Sequence, residues 1–137
     1  MASRAKAKLN APNSALVLFA HGARDPQWAE PFSAIRESVS RRRPDLTVAL
    51  AFLELMQPRL HECVAQLVQA GHERIIIAPM FLAQGGHLKE DLPRLIGDLN
   101  ACHSSVEISV LPAIGEVHNL LEAIAQSLVE GLPRADR

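Results

Sequence analysis

The strongest constraint on the fold is a regular alternation of strand-like and helix-like segments from residue 15 onward. Each of four short apolar runs is followed by a segment with apolar residues at helical spacing. The predicted strands cover residues 15–20, 47–53, 74–82 and 106–111. Short connections between such βα units favour a parallel sheet with right-handed crossovers and helices on both faces. We therefore expect an α/β, flavodoxin-like, three-layer domain with a four-stranded parallel sheet in the order 2-1-3-4.

Three of the four helical segments carry a clean apolar stripe, which includes Trp28 in the first and Cys63, a predicted core residue, in the second. The third segment in chain order is interrupted by Pro93. Proline is tolerated in the first turn of a helix but disrupts its interior. This helix therefore either starts near residue 91 or is kinked at Pro93, and we favour the later start, with 83–90 as a loop. The stripe of the last helix comprises Val117, Leu120, Leu121, Ile124 and Leu128.

Length and composition indicate one domain of an ordinary globular class. The chain has 137 residues, 48% of them hydrophobic, and a net charge of −1, which gives no support to a nucleic-acid-binding protein. We expect a single domain over residues 15–132, a flexible tail at 1–14 and a short tail at 133–137. No apolar run is long enough to span a membrane or resembles a secretory signal, and the two cysteines match no zinc or disulfide pattern. These features favour a cytoplasmic protein.

Two of the predicted strands lead into a histidine set beside glycine. His21 and Gly22 follow the first strand, and Gly85, Gly86 and His87 follow the third. In the order 2-1-3-4 these strands are neighbours, and their connections leave in opposite directions, which opens a crevice at the carboxyl edge of the sheet. We therefore expect His21 and His87 to face each other across this crevice.

Two imidazoles in such a crevice suit a divalent metal ion in transit. Histidine is the commonest metal ligand and titrates near neutral pH, whereas structural ions usually have four protein ligands. Glu54 closes the second strand and is either a third ligand or proton acceptor, or a solvated side chain at a strand end. Arg24 and Lys89 flank the two histidines and are explained by surface solvation or by an anionic substrate. His118, at the start of the last helix, is a further candidate.

Several stretches of this chain resemble the small class II chelatases of the CbiX type, the sirohydrochlorin cobaltochelatases and ferrochelatases. The resemblance extends from about residue 15 to 130, and the paired glycine-flanked histidines make it specific. The family more often has serine where Ala23 stands. The matching stretches are His21-Gly22-Ala23-Arg24-Asp25-Pro26, Phe52-Leu53-Glu54-Leu55 with Pro58, Pro79-Met80-Phe81-Leu82, Gly85-Gly86-His87-Leu88-Lys89-Glu90-Asp91, and Pro112-Ala113-Ile114-Gly115.

The resemblance implies insertion of Co²⁺, or of Fe²⁺, into sirohydrochlorin or a related tetrapyrrole for cobalamin or sirohaem synthesis. The metal is then a substrate, and no permanently bound cofactor is expected. The resemblance assigns His21 and His87 as metal ligands, with Glu54 as the acidic catalytic residue. It further assigns substrate binding to Arg24, Gly85, Gly86 and Lys89. It also implies a homodimer, because the small members of the family pair where larger relatives have two fused domains.

Three other functions fit parts of the pattern. A metal-delivery protein would use the same histidine pair without turnover. A phosphate-transfer enzyme with His21 as nucleophile is disfavoured, because histidine phosphatases have arginine immediately before that histidine and this chain has Ala20. A flavodoxin-like binding module is disfavoured because no phosphate-binding loop rich in Gly, Ser and Thr follows the first strand. Histidine and glutamate do not distinguish cobalt from iron or nickel.

Overall fold

A computed structural model describes residues 13–135 and contains one four-stranded parallel sheet in the order β2-β1-β3-β4. The predicted strand order is therefore confirmed. The strands are β1 (Ser14–Ala20), β2 (Thr47–Phe52), β3 (Arg74–Pro79) and β4 (Glu107–Val110). The α-helices are α1 (Glu30–Arg42), α2 (Leu60–Gln69), α3 (Gly86–Cys102) and α4 (His118–Gly131), and 3-10 helices form at Pro26–Ala29 and Ile114–Glu116.

The register of the strands brings their carboxyl ends to one edge of the sheet. Ala20 at the end of β1 pairs with Phe52 at the end of β2, and Phe19 pairs with Pro79 at the end of β3. The residues that follow these three strands therefore emerge side by side, which is the arrangement that parallel α/β sheets use for binding sites.

The main core lies between one face of the sheet and helices α2 and α3. Alternate residues of each strand point to this face, as the two-residue period of a strand requires. In β1 they are Ala15, Val17 and Phe19, all fully buried. Helix α1 lies on the opposite face, as right-handed crossovers require, so helices flank both sides of the sheet. The helical members of the core are Leu60, Cys63, Val64, Leu67, Leu92 and Leu99.

The predicted start of the third α-helix is wrong. Helix α3 begins at Gly86, and Pro93 lies inside it. Gly85 is its N-cap, and the Lys89 amide donates to the Gly85 carbonyl at 3.1 Å, so the first turn forms before the proline is reached. The apolar stripe continues through the proline, with Leu92 buried and Leu88 partly buried against the core, and this packing outweighs one missing amide donor. His87 therefore stands on a helix and not on a loop.

The ends of the chain were predicted as tails. The predicted N-terminal tail, residues 1–14, lies outside the described residues except for positions 13 and 14, and Ser14 belongs to β1. At the other end, residues 133–135 follow α4 without regular structure. Within residues 13–135, no helix has the length and apolar content needed to cross a membrane.

Candidate functional site

The candidate site is built where β1 ends between its two neighbours. Backbone pairing continues one step past the strands: the Leu53 amide donates to the Ala20 carbonyl at 2.8 Å, and the Met80 amide donates to the Phe19 carbonyl at 2.7 Å. These bonds fix the starting points of the loops after β1, β2 and β3. His21 is the first residue beyond β1 and lies between the other two loops.

The imidazole of His21 is paired with the carboxylate of Glu54, which follows β2. The distance from His21 Nδ1 to Glu54 Oε1 is 3.0 Å. An ionised carboxylate only accepts hydrogen bonds, so Nδ1–H donates, and in the neutral form of the ring Nε2 carries the lone pair. The His21 side chain is 48% exposed, so this lone pair is open to a ligand. Carboxylates orient metal-binding imidazoles in this way in many metal sites.

The second carboxylate oxygen of Glu54 has an unusual environment. Oε2 is buried and has no hydrogen-bond partner among the described residues. A buried polar atom without a partner is unfavourable by about 1–3 kcal/mol. Protonation of this oxygen would remove part of that cost.

Two further side chains hold His21 in place. The Trp28 Nε1–H donates to the His21 carbonyl oxygen at 2.6 Å, from the 3-10 helix that follows the β1 loop. The ring of Phe81, in the loop after β3, meets the His21 ring edge to face with centroids 4.9 Å apart. Phe81 is itself buried in the core. The position of His21 is therefore set by contacts from all three loops.

The backbone around Glu54 is also tightly constrained. A Cβ atom at Gly22 would overlap the carbonyl oxygen of Glu54, so only glycine fits where the loops after β1 and β2 cross. The residue after Glu54, Leu55, has a φ of 68°, in the left-handed region that a branched side chain rarely adopts. Such strained positions cost about 1–3 kcal/mol and occur most often at functional sites.

His87 has a different environment from His21. It is exposed in the first turn of α3, after Gly85 and Gly86, and both glycines have open space where a Cβ would stand. Across residues 13–135, no three or more His, Cys, Asp and Glu side chains lie close enough together to hold a metal ion. The structure therefore brings His21 and Glu54 together, and His87 stands apart from that pair.

The remaining candidate residues lie around this edge of the sheet or farther along the chain. Arg24 and Lys89 are exposed, and neither forms an ion pair with another described residue. Lys89 also lines a cavity of about 450 Å³ between α3 and the end of β4. His118 is the first residue of α4, and its exposed side chain lies 3.9 Å from Glu122 on the same helix.

Of the two cysteines, only Cys102 is exposed, while Cys63 belongs to the core as the sequence predicts. Burial raises the pKa of the Cys63 thiol to about 11, so it stays protonated near neutral pH. Because metals bind the thiolate, Cys63 is poorly suited to bind a metal ion.

Comparison with protein families matches residues 15–131 to CbiX. This chain belongs to the CbiX family. A curated relative, the sirohydrochlorin cobaltochelatase of Methanopyrus kandleri, is 36% identical over 83 residues, which are 61% of this chain and 58% of that protein. The matched part of this chain thus spans less than two thirds of that relative.

Solved structures of the family agree with the fold. The cobalamin biosynthesis CbiX protein from Marinobacter aquaeolei VT8 is 34% identical and superposes with a TM-score of 0.76, covering 89% of this chain and 99% of that one. SirB from Bacillus subtilis with Fe³⁺ is 25% identical, with a TM-score of 0.71, and the match covers 88% of this chain but 48% of SirB. This CbiX chain therefore corresponds to about half of SirB.

Sequence reasoning missed two residues of the site. Trp28 was assigned to the apolar stripe of a helix, although its indole N–H reaches the His21 carbonyl. Phe81 was assigned to the third strand, which ends at Pro79, so its ring is free to turn toward His21. The available signal was that Trp28 is the single indole in the chain and stands close to His21 in sequence.

Proposed function

We propose that this protein inserts a divalent metal ion, Co²⁺ first and Fe²⁺ second, into sirohydrochlorin or a related tetrapyrrole. The observation that carries the proposal is the carboxylate-oriented, half-exposed imidazole of His21 at the carboxyl edge of the sheet in a member of the CbiX family. The metal ion is a substrate here, delivered to the site and leaving in the product.

The reaction exchanges two pyrrole protons for one metal ion. The metal ion must lose water, and two pyrrole N–H groups must lose their protons. In our proposal the Nε2 lone pair of His21 first holds the metal ion. When the ion passes to the ring nitrogens, the same lone pair takes up a pyrrole proton, and the Glu54 carboxylate at Nδ1 stabilises the resulting imidazolium.

Glu54 is proposed to accept the second proton. Its Oε2 is buried without a partner among residues 13–135, so a proton held on it would satisfy an atom that the protein leaves unpaired. Glu54 would then act twice in sequence, first as the carboxylate that stabilises the His21 imidazolium through Oε1, and then, once His21 has released its proton, as the group that holds the second proton.

His87 is proposed as the second metal ligand. It stands in the first turn of α3, and the loop that leads to it includes Phe81, which contacts the His21 ring. Because His87 forms no metal-binding group with His21 and Glu54, joint binding of the ion requires the first turn of α3 to approach His21. The open space around Gly85 and Gly86 is compatible with such an approach or with close contact by the substrate.

The substrate carries several carboxylates, and we propose that Arg24 and Lys89 bind them together with the backbone at Gly85 and Gly86. The two cations are exposed and free of ion pairs with described residues, and the positive end of the α3 dipole lies at these glycines. A tetrapyrrole is wide for one such domain, and this chain matches half of SirB, which supports a homodimer as the working form. The free thiol of exposed Cys102 supports a reducing, cytoplasmic location.

The test mixes purified protein with sirohydrochlorin and Co²⁺, or Fe²⁺ without oxygen, and follows the visible spectrum. We expect insertion well above the protein-free rate. His21→Ala should lose about 10²–10⁴-fold in rate, the range for a positioned acid–base group. The matched control is His103→Ala, since His103 caps the far end of α3. Metal binding without faster insertion would instead support the metal-delivery function.

A further inference from the structure

The loop after β4 meets the loop after β3 at Gly115. This glycine lies in the 3-10 helix Ile114–Glu116, and its amide donates to the Phe81 carbonyl at 3.1 Å. A Cβ atom at Gly115 would overlap the carbonyl of Leu82, and its other nearest neighbours are also backbone atoms of Leu82. A change of rotamer cannot relieve contact with a backbone atom, so only glycine fits at this crossing.

The crossing at Gly115 is similar to the one at Gly22, where the loops after β1 and β2 meet at the Glu54 carbonyl. Each crossing fixes the backbone beside a residue that contacts the His21 imidazole. On the first side this residue is Glu54, whose carboxylate pairs with the ring. On the second side it is Phe81, whose ring meets the imidazole edge to face.

The Phe81 ring follows its own backbone closely. It lies against two other rings, with centroids 5.6 Å from Phe19 and 4.9 Å from His21. Phe81 is only 3% exposed, and closely packed interiors leave a buried ring little room to adjust. A displacement of the Phe81 backbone would therefore reach the His21 imidazole.

The turn that carries Gly115 is anchored to the sheet. The Leu111 amide donates to the Ile77 carbonyl at 2.8 Å, which extends the pairing of β4 with β3 beyond the strand. Ala113, the N-cap of the 3-10 helix, is buried. The position of Gly115 is therefore fixed from β4, and the loop after β3 packs against it.

We propose that Gly115 is a positioning residue for metal insertion, acting on His21 through Phe81. Its contact with the Leu82 backbone and its hydrogen bond to Phe81 set the place of the Phe81 ring, and this ring sets the place of the imidazole. The proposal rests on the role of His21 in the proposed function. A misplacement of about 1 Å can lower the rate of an enzyme about 10²-fold, so support at this distance matters.

The first test is Gly115→Ala in the insertion assay. The added methyl group must displace the backbone at Leu82, so kcat should fall about 10–100-fold, the range for residues that orient a metal ligand. The KM for sirohydrochlorin should change less than about threefold, because the disturbed group acts on the metal ion and the transferred proton. The matched control is Gly97→Ala on α3, where no atom lies within 4 Å of the added methyl group, and it should leave both constants unchanged.

The second test shows whether Gly115 acts through Phe81. Phe81→Leu removes the ring that contacts His21 and should also lower kcat about 10–100-fold. Adding Gly115→Ala to it should lower kcat by less than about threefold more, since the supported contact is already gone. Losses that multiply would overturn the proposal. If Gly115→Ala does not fold, Phe81→Leu still decides, because a wild-type kcat in that variant overturns the proposal as well.

A third measurement needs neither metal nor substrate. The ring current of Phe81 shifts the NMR signals of the His21 ring protons, which are assigned with His21→Ala. Gly115→Ala and Phe81→Leu should both move these signals, whereas Gly97→Ala should not. Moved signals in a protein without insertion activity would overturn the proposed function alone. Unmoved signals in an active protein would overturn this inference alone.

Discussion

Strands β1 and β3 are each followed by a histidine beside glycine, yet the two histidines have different surroundings in the structure. His21 is held by Glu54, Trp28 and Phe81, and its glycine neighbour fits where no other residue would. His87 stands exposed on the first turn of α3, after two glycines that have free space around them. Similar local sequences thus produce one pre-positioned imidazole and one free imidazole, and the difference indicates separate contributions to the same reaction.

The largest expected effect is the loss of either imidazole. His87→Ala should lower the insertion rate by about 10²–10⁴-fold, as His21→Ala does, while leaving the melting temperature unchanged because an exposed side chain contributes little to the core. Insertion kinetics and thermal melts check this. If His87→Ala kept the wild-type turnover, His87 would not be part of the site. If the variant failed to fold, the role of His87 would be structural.

A smaller loss is expected when the orienting carboxylate is neutralised. Glu54→Gln keeps the shape of the side chain but loses both the charge that stabilises a protonated His21 and the acceptor proposed for the second proton, so we expect a loss of about 10²-fold, the upper end for an orienting partner and the lower end for an acid–base group. The matched control is Glu90→Gln, which neutralises an exposed carboxylate close to His87 and should have little effect on insertion. If Glu54→Gln and Glu90→Gln lowered kcat equally, the contact with Glu54 would not give His21 a role different from that of His87.

The two loops should also respond differently to a single added methyl group. Gly22→Ala forces the Glu54 carbonyl to move and should lower the free energy of unfolding by about 1–3 kcal/mol. Gly86→Ala meets open space at the start of α3 and should be neutral or stabilising by about 0.4–1 kcal/mol. Urea unfolding of both variants measures the contrast. A destabilised Gly86→Ala would show that the β3 loop is as constrained as the β1 loop.

The smallest expected effect concerns the anchor of the His21 backbone. Trp28→Phe removes the indole N–H that donates to the His21 carbonyl but keeps an aromatic ring, which should cost about 0.5–1.5 kcal/mol of stability and a several-fold loss in kcat. Phe32→Leu, on the neighbouring ring of the same surface, serves as the control. If Trp28→Phe and Phe32→Leu had comparable kcat values, the hydrogen bond from Trp28 to His21 would have no role in catalysis beyond packing.

Much of the fold followed from periodicity in the sequence. Strand order, the parallel sheet and the core role of Cys63 were predicted and are found. The start of α3 was predicted wrongly, because the prediction considered only the local effect of Pro93 on a helix. The packing of Leu88 and Leu92 against the core stabilises the helical turns before Pro93, and this packing depends on residues distant in sequence.

For the site, the sequence identified His21 and Glu54 as candidates but left open whether Glu54 was solvated. Their pairing depends on the register of β1 against β2, which brings together residues 33 positions apart. The contacts of Trp28 and Phe81 with His21 could not be predicted, because they depend on where short loops turn and on rotamers. Periodic patterns carry no information about either.

The sequence by itself determined the element order and the identity of the titratable side chains, because apolar runs and helical periodicity can be recognised without the structure. The tertiary structure alone decided that His21 has a carboxylate partner and that His87 has none among residues 13–135. Such contacts join residues distant along the chain, and their distances are fixed only when the strands are in register.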